Sequence, residues 1–207
     1  MPRQERYAGP MKLYLARHGE TDLNVDERYQ GSSNLPLNHA GMTQARRLAQ
    51  ALPGDITHIV SSPQQRTLQT ALTVAQARGL KVTVMPGLRE RDFGEFEGLT
   101  LPQVAQRYPA LWQAGIITAW DTPPPSGETT RQVVQRVSAV VAELQASHGE
   151  HEVLLLCVHG FVIRALRYLL DGLCEAEFFD APRLGNAEFL VRHWPRPPEG
   201  PRALHAL

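Results

Sequence analysis

Val153-Leu154-Leu155-Leu156-Cys157-Val158-His159-Gly160 decides the fold. Its first six residues are apolar without alternation, the pattern of a strand covered on both faces. Such a strand belongs inside a parallel sheet with helices on either side. Lys12 to Ala16 is a second short apolar run, and it too leads into a histidine and a glycine, as Arg17-His18-Gly19. Ile56 to Ser61, Lys81 to Met85 and Ala187 to His193 read as further strands.

Between these runs the apolar period becomes helical. Asn38 to Leu52 puts Met42, Ala45, Leu48, Ala49 and Leu52 on one face and stops at Pro53-Gly54. Ser62-Pro63-Gln64-Gln65 predicts a helix start, with Ser62 as cap, Pro63 in the first position and Gln65 completing a capping box. Leu68, Ala71, Leu72 and Ala75 continue that helix to Gly79. Thr129 and Gln132 predict a second capping box, opening a helix to Ser147 with Val133, Val137, Val140, Val141 and Leu144 as its apolar stripe. Phe161 to Leu170 is a last helix. Strands alternating with helices predict an α/β layer fold with a largely parallel sheet. Residues 92–127, with Gly94, Gly98, Pro102, Pro109 and Pro123-Pro124-Pro125, form an excursion of loops or short helices that covers a pocket. Residues 11–194 then make one domain, preceded by a polar leader at 1–10, with Met11 as an alternative start, and followed by a mobile proline-rich tail at 195–207.

Composition narrows the function by exclusion. The 207 residues carry 21 Lys and Arg against 21 Asp and Glu, so the net charge is zero. That balance points to neither nucleic acid nor an anionic membrane, and any anion binding must come from a local cluster. No stretch is long enough to span a bilayer and no apolar signal core follows the start. There are two cysteines, and Cys157 sits in an apolar run, so no disulfide framework is expected. These features predict a cytoplasmic protein and leave a homodimer open.

The chemistry lies where strands end. Ligands of open α/β sheets bind beyond the carboxyl ends of the strands. His18 and His159 each follow an apolar strand, and Arg66 lies just beyond a third. One sheet edge can therefore present Arg17, His18, Arg66 and His159 together. The two guanidinium forks suit a phosphoryl dianion. Their charge should keep His18 neutral, and a neutral imidazole with one free nitrogen is a nucleophile. Its other nitrogen needs an acceptor, most simply a carbonyl in the Gly19-Glu20 turn. A carboxylic acid must protonate the leaving alkoxide. Glu90 is the first choice, and Glu20, Asp92, Glu95 and Glu97 compete on chemistry alone.

Arg17-His18-Gly19-Glu20-Thr21 with Asn24 resembles the signature of the histidine phosphatase superfamily, the phosphoglycerate mutase-like proteins. Gln30-Gly31, Leu35-Pro36-Leu37-Asn38, Ser61-Ser62-Pro63 with Arg66 and Thr70-Ala71, Glu90 with Gly94 and Glu97-Gly98, Ser126-Gly127-Glu128 and Val158-His159-Gly160 follow in the order of that family. The resemblance implies a three-layer α/β/α fold and a reaction without metal or cofactor. It implies that His18 is phosphorylated, that Glu90 donates and accepts the proton, and that Arg17, Asn24, Arg66 and His159 hold the phosphoryl group. Gln30 and Gly31 would line the entrance, and Arg91 would touch substrate.

The same family contains phosphatases of the histidine acid phosphatase type and cofactor-dependent mutases. Mutases of this kind read Glu-Arg-His-Tyr-Gly after the acid and soon supply a lysine. Here the segment is Glu90-Arg91-Asp92-Phe93-Gly94, without the tyrosine or the lysine, and residues 99–127 hold only Arg107. Phe93, Phe96, Trp112 and Trp120 suit a less polar leaving group. The expected activity is therefore a phosphomonoesterase acting on a small phosphorylated metabolite, with a mutase-type isomerase as the alternative and a non-catalytic phospho-ligand binder as a third reading. The competing plain readings are that His18 and His159 are turn histidines, that Arg66 is a solvated first-turn residue, and that Glu90 is an ordinary surface ion pair beside Arg89 and Arg91. His148 and His151, three apart around a Gly149-Glu150 turn, show no third ligand, so no metal site is expected.

Overall fold

The structure is a computed structural model, and it describes residues 11–149, 151–180 and 182–194. The expected leader and tail lie outside the described residues.

Strands β1 (Met11–Arg17), β2 (His58–Ser61), β3 (Val82–Val84), β4 (Val153–Val158) and β5 (Phe189–Trp194) form one sheet in the order β3-β2-β4-β1-β5. β4 runs parallel to β1 and to β2, and β2 runs parallel to β3. β5 closes the edge antiparallel to β1. The uninterrupted apolar run thus occupies the centre, where both faces are covered.

Side chains alternate between two cores, as a period of two requires. Leu13, Leu15, Leu154, Leu156 and Val158 face one side. There they meet Val133, Val137 and Val141 of α6 (Thr130–Ser147) and Val162 and Leu166 of α7 (Gly160–Asp171). Tyr14, Ala16, Leu155 and Cys157 face the other side. Their partners are Leu48 of α2 (His39–Ala51) and Ala71, Val74 and Ala75 of α3 (Gln65–Arg78). The result is three layers, α/β/α. Leu155 is fully buried, and replacing such a leucine by alanine costs about 2–5 kcal/mol.

The caps explain where these helices begin. Thr129 Oγ1 accepts from the Gln132 amide at 3.0 Å and Gln132 Oε1 from the Thr129 amide at 2.8 Å, the box expected for α6. Asn38 Oδ1 accepts from the Gly41 amide and caps α2. α3 departs from expectation. It starts at Gln65, so Ser62 lies two residues before the N-cap Gln64; its hydroxyl meets His159 Nε2 at 2.8 Å and the Gln64 amide at 3.4 Å. Asn34 Oδ1 instead accepts from the Gln65 amide, a cap supplied by a distant loop. The inward face of α3 is also rotated from the apolar stripe. Leu72 is exposed, whereas Arg66, Thr67 and Thr70 are buried. The first turns of α3 pack on a polar site, so of the expected apolar residues Ala71 and Ala75 are buried while Leu72 is not.

Residues 92–127 contain the short helices α4 (Leu101–Arg107) and α5 (Pro109–Gln113) around a small core of Phe96, Val104 and Ile116. Its base is clasped by Glu95 N–H to the Pro125 carbonyl at 3.0 Å and Glu128 N–H to the Asp92 carbonyl at 2.8 Å. Gly94, at φ 51°, lies against that clasp, and a Cβ there would collide with the Pro125 carbonyl.

Candidate active site

Strand register gathers the site. Arg17 lies opposite Val158 and Ser61 opposite Cys157, so the residues that follow, His18, His159 and Ser62, emerge at one edge. The His18 amide donates to the Val158 carbonyl at 3.1 Å and locks the first turn to the second. The His18 and His159 rings stand edge to face at 5.3 Å.

His18 is 3% exposed. Its Nδ1 lies 2.7 Å from the Gly19 carbonyl, the kind of acceptor expected from the sequence. A carbonyl only accepts, so Nδ1 carries the proton and Nε2 keeps its lone pair. Burial holds the His18 pKa well below 6.5, and the cations of Arg66 and Arg17 add to it. Burial, the larger cause, adds to the cations that the sequence shows.

Arg66 is fully buried, not a solvated surface residue. Nη1 donates to the Ser33 carbonyl at 2.6 Å, Nη2 to the Gly31 carbonyl at 2.9 Å and Nε to His159 Nδ1 at 3.3 Å. Two of its five N–H groups remain for a ligand. Burial lowers its pKa to about 10, so it stays cationic at neutral pH. Arg17 is tied by Nη1 to the Leu184 carbonyl at 2.9 Å, and its buried Nε has no hydrogen-bond partner among the described residues. Asn24, in the one-turn helix α1 (Asp22–Val25), closes this end. Its Oδ1 caps the Thr21 amide and accepts from Asn186 Nδ2 at 3.0 Å. Its amide nitrogen is left for a ligand.

His159 differs from expectation. It is wholly buried and does not line the cavity, and both ring nitrogens are engaged, Nδ1 by Arg66 and Nε2 by Ser62 Oγ. In this geometry it buttresses Arg66 and His18 from behind.

Glu90 is distinguished from its competitors by position. It is the one carboxylate among the described residues that lines the cavity. Glu20 bonds Asn38, Asp92 the Gly94 amide, Glu95 the Tyr108 hydroxyl, and Glu97 the amides and hydroxyls of Ser32 and Ser33. Glu90 is not the surface ion pair of the plain reading, because Arg89 and Arg136 pair with Glu128. Its oxygens accept from the Arg91 amide at 3.0 Å and the Phe161 amide at 3.3 Å. Burial raises its pKa although Arg66 opposes the shift.

These groups border a cavity of about 220 Å³. Phe93 and Phe96 line it, as do Gln30 and Gly31, but Trp112 and Trp120 do not. Trp120 packs on Tyr168 and Phe178. The cavity is also more cationic than the sequence suggested, with Arg28, Arg91, Arg164, Arg167 and Arg183 in its lining.

Comparison with known proteins places this geometry. The family model of the histidine phosphatase superfamily (branch 1) matches residues 13–196. The chain belongs to the histidine phosphatase superfamily. Within that superfamily it is 42% identical over 185 residues to a bifunctional protein of Mycobacterium tuberculosis, covering 87% of this chain and 50% of the other. It therefore spans about half the length of those relatives. It is 36% identical to a probable phosphoglycerate mutase of Proteus mirabilis, over 79% of this chain and 76% of that one. Among solved structures, the mycobacterial glucosyl-3-phosphoglycerate phosphatase superposes with a TM-score of 0.81 at 32% identity, over 87% and 90% of the two chains.

In this superfamily member several supporting contacts carry no local signal, although Glu97 itself stands in the matched motifs. Asn186 donates to the His18 carbonyl at 3.1 Å as well as to Asn24, from a loop before the last strand. Gln64 joins two segments, its Nε2 on the Gly31 carbonyl at 2.8 Å and its Oε1 on the Glu90 amide at 2.8 Å. Glu97 holds the Ser32-Ser33 turn whose neighbouring carbonyls grip Arg66. Arg164 and Arg167 stand three apart on α7, which reads as an ordinary polar face in one dimension.

At the opposite end of the sheet, His58, His148 and Glu152 bring three potential ligand atoms within 4.8 Å of one another. His58 and Glu152 thus supply neighbours for His148 that spacing did not reveal, while His151 is not in the group. Among the described residues, no helix is long and apolar enough to cross a membrane.

Proposed function

We propose that the chain is a metal-independent phosphomonoesterase that transfers the phosphoryl group of a small metabolite to His18 and then to water. The observation that carries this reading is the placement of two groups at one cavity: His18, whose Nδ1 is held by the Gly19 carbonyl so that its Nε2 lone pair is free, and Glu90, the carboxylate that lines the cavity among the described residues, whose pKa burial raises. A lowered imidazole pKa suits a nucleophile and a raised carboxyl pKa suits a general acid. In the first step His18 Nε2 bonds to phosphorus, the ester P–O bond breaks, and Glu90 gives its proton to the leaving oxygen. In the second, Glu90 takes a proton from water, the new P–O bond forms and the P–N bond breaks, which returns both groups to their starting states. Arg17, Arg66 and the Asn24 amide stabilise the equatorial oxygens throughout. His159 acts by holding Arg66. A cavity of about 220 Å³ favours a small substrate over a folded phosphoprotein.

The mutase reading is favoured by one specific observation. The five additional arginines remove the objection that the site lacks cations for a bisphosphate. Incubation with 3-phosphoglycerate, with and without its bisphosphate primer, separates the two. Hydrolysis predicts primer-independent phosphate release, and primer-dependent isomerisation faster than release contradicts it. A pure binder predicts no turnover of any phosphomonoester.

A further inference from the structure

The end of the sheet opposite the cavity gathers a second cluster of chemistry-bearing side chains. His58 opens β2, His148 is the C-cap of α6, and Glu152 stands just before β4. One ring nitrogen of each histidine and one carboxylate oxygen lie within 4.8 Å of one another, and this is the one such group among the described residues. The side chains of His58 and Glu152 are 42% and 34% exposed, so an ion reaches them directly from solvent.

Each of the three is oriented by a neighbour. His148 Nδ1 lies 3.1 Å from the Leu144 carbonyl. A carbonyl only accepts, so Nδ1 holds the proton and Nε2 keeps a lone pair. Thr57 Oγ1 lies 3.0 Å from His58 Nδ1 and donates its own proton to the Val153 carbonyl at 3.1 Å. It therefore accepts from Nδ1 and leaves the lone pair of His58 on Nε2. That Nε2 stands 3.6 Å from Glu152 Oε1, while Glu152 Oε2 accepts from the Gly149 amide at 2.7 Å. Metal-bound histidines are held in the same way, by an acceptor on the nitrogen that does not ligate.

The spacing also fits. Ligand atoms about 2.0–2.2 Å from a tetrahedral metal stand about 3.4 Å apart, close to the His58–Glu152 separation. An ion pair between those two accounts for part of the group. It leaves the His148 ring, edge to face against His58 at 4.9 Å, without a role.

We propose that His58, His148 and Glu152 form a zinc site remote from the reaction, with water completing a tetrahedral shell. Two imidazoles and a carboxylate suit Zn²⁺, whereas Mg²⁺ and Ca²⁺ take oxygen shells. The ion ties the end of α6 to the starts of β2 and β4. With one position left to water, it binds reversibly, unlike the closed shell of a permanent structural zinc. Glu152 and His159 bracket β4 and are about 23 Å apart, so the ion takes no part in the chemistry at His18.

The test titrates tag-free, chelator-treated protein with zinc chloride by calorimetry and follows thermal denaturation. The parent should bind one equivalent saturably, and free zinc at about 100 times Kd should raise Tm by about 5 °C or more. His58→Ala and His148→Ala should each weaken binding by about 10-fold or more and lose most of the Tm shift. Should either variant fail to fold, Glu152→Gln, which keeps the shape of the side chain, asks the same question. His151→Ala, outside the group, should bind as the parent does. Co²⁺ in place of Zn²⁺ should give the visible absorption of a tetrahedral site in the parent and lose it in His58→Ala. The site is overturned by the absence of saturable binding, or by several weak equivalents without a Tm shift. Equal affinity in the parent, His58→Ala and His148→Ala also overturns it, as does binding lost in His18→Ala or His151→Ala instead.

Discussion

Arg66 Nε donates to His159 Nδ1 across 3.3 Å, joining α3 to the turn after β4 over 93 positions of sequence. Because a guanidinium only donates, His159 must accept at Nδ1, so its proton lies on Nε2 and faces Ser62 Oγ at 2.8 Å. One contact thus sets a tautomer and aims a guanidinium. Replacing His159 by alanine leaves a buried guanidinium N–H unmet, at a cost of about 1–3 kcal/mol in stability. It also lets Arg66 move, and a lost preorganised donor lowers kcat by about 10²- to 10³-fold. Urea denaturation and steady-state kinetics check both effects. Ser62→Ala, which leaves the Arg66 contact intact, should be milder in each.

The two buried histidines make a prediction about acid. Burial followed by Arg66 holds both below 6.5 in the folded state. Below that pH the unfolded chain takes up protons that the folded chain refuses, so stability falls as pH falls. Each histidine contributes up to about 1.4 kcal/mol per pH unit until its folded pKa is reached. Denaturation curves between pH 7 and pH 5.5 should therefore show a slope that shrinks in His18→Gln. An unchanged slope would mean that His18 does not stay neutral.

Glu90 shifts the other way. Its raised pKa means that the folded chain binds this proton more tightly than the unfolded one, so its contribution to stability declines as pH rises above 4.5. The stability of Glu90→Gln relative to the parent should improve as pH rises above 4.5 and level off once the folded-state pKa is passed. Its activity should suffer most on alkyl phosphates, whose leaving oxygen needs a proton, and less on aryl phosphates. Equal slowing on both would remove Glu90 from the acid role.

Glu97 tests how far the site depends on its supports. Its carboxylate accepts from the amides and hydroxyls of Ser32 and Ser33 at 2.6 to 3.1 Å, while Ser33 and Gly31 grip Arg66. Glu97→Ala should loosen that loop and reduce kcat/KM by about 10-fold or more without touching substrate. Glu97→Gln, which keeps part of the acceptor set, should recover some of the loss. Activity equal to the parent in both variants would show that Arg66 does not need the loop.

Local signals carried much of this structure. The apolar run at β4 is the central strand, and the Thr129–Gln132 box starts α6, because strand burial and capping are short-range properties. His18, Arg17, Arg66 and Glu90 were legible because strand ends and their following turns converge wherever a parallel sheet forms. What escaped reading depends on contacts between distant segments. Ser62 has the pattern of a helix cap, but α3 starts at Gln65 and Asn34 caps it from 31 positions away. His159 was expected at the ligand, yet its surroundings occupy both ring nitrogens. Asn186 and the arginines of α7 carry no local motif, so only the folded chain shows what they face.

The central claim is that His18 Nε2 takes the phosphoryl group. Rapid acid-free quenching during turnover of a radiolabelled phosphomonoester, followed by peptide mapping, tests it most directly. The account predicts a base-stable, acid-labile phosphoramidate on the peptide containing His18, absent from His18→Ala and accumulating in Glu90→Gln when an aryl phosphate bypasses the acid. Continued turnover by His18→Ala at a rate near the parent's, or label on any other residue, would contradict it.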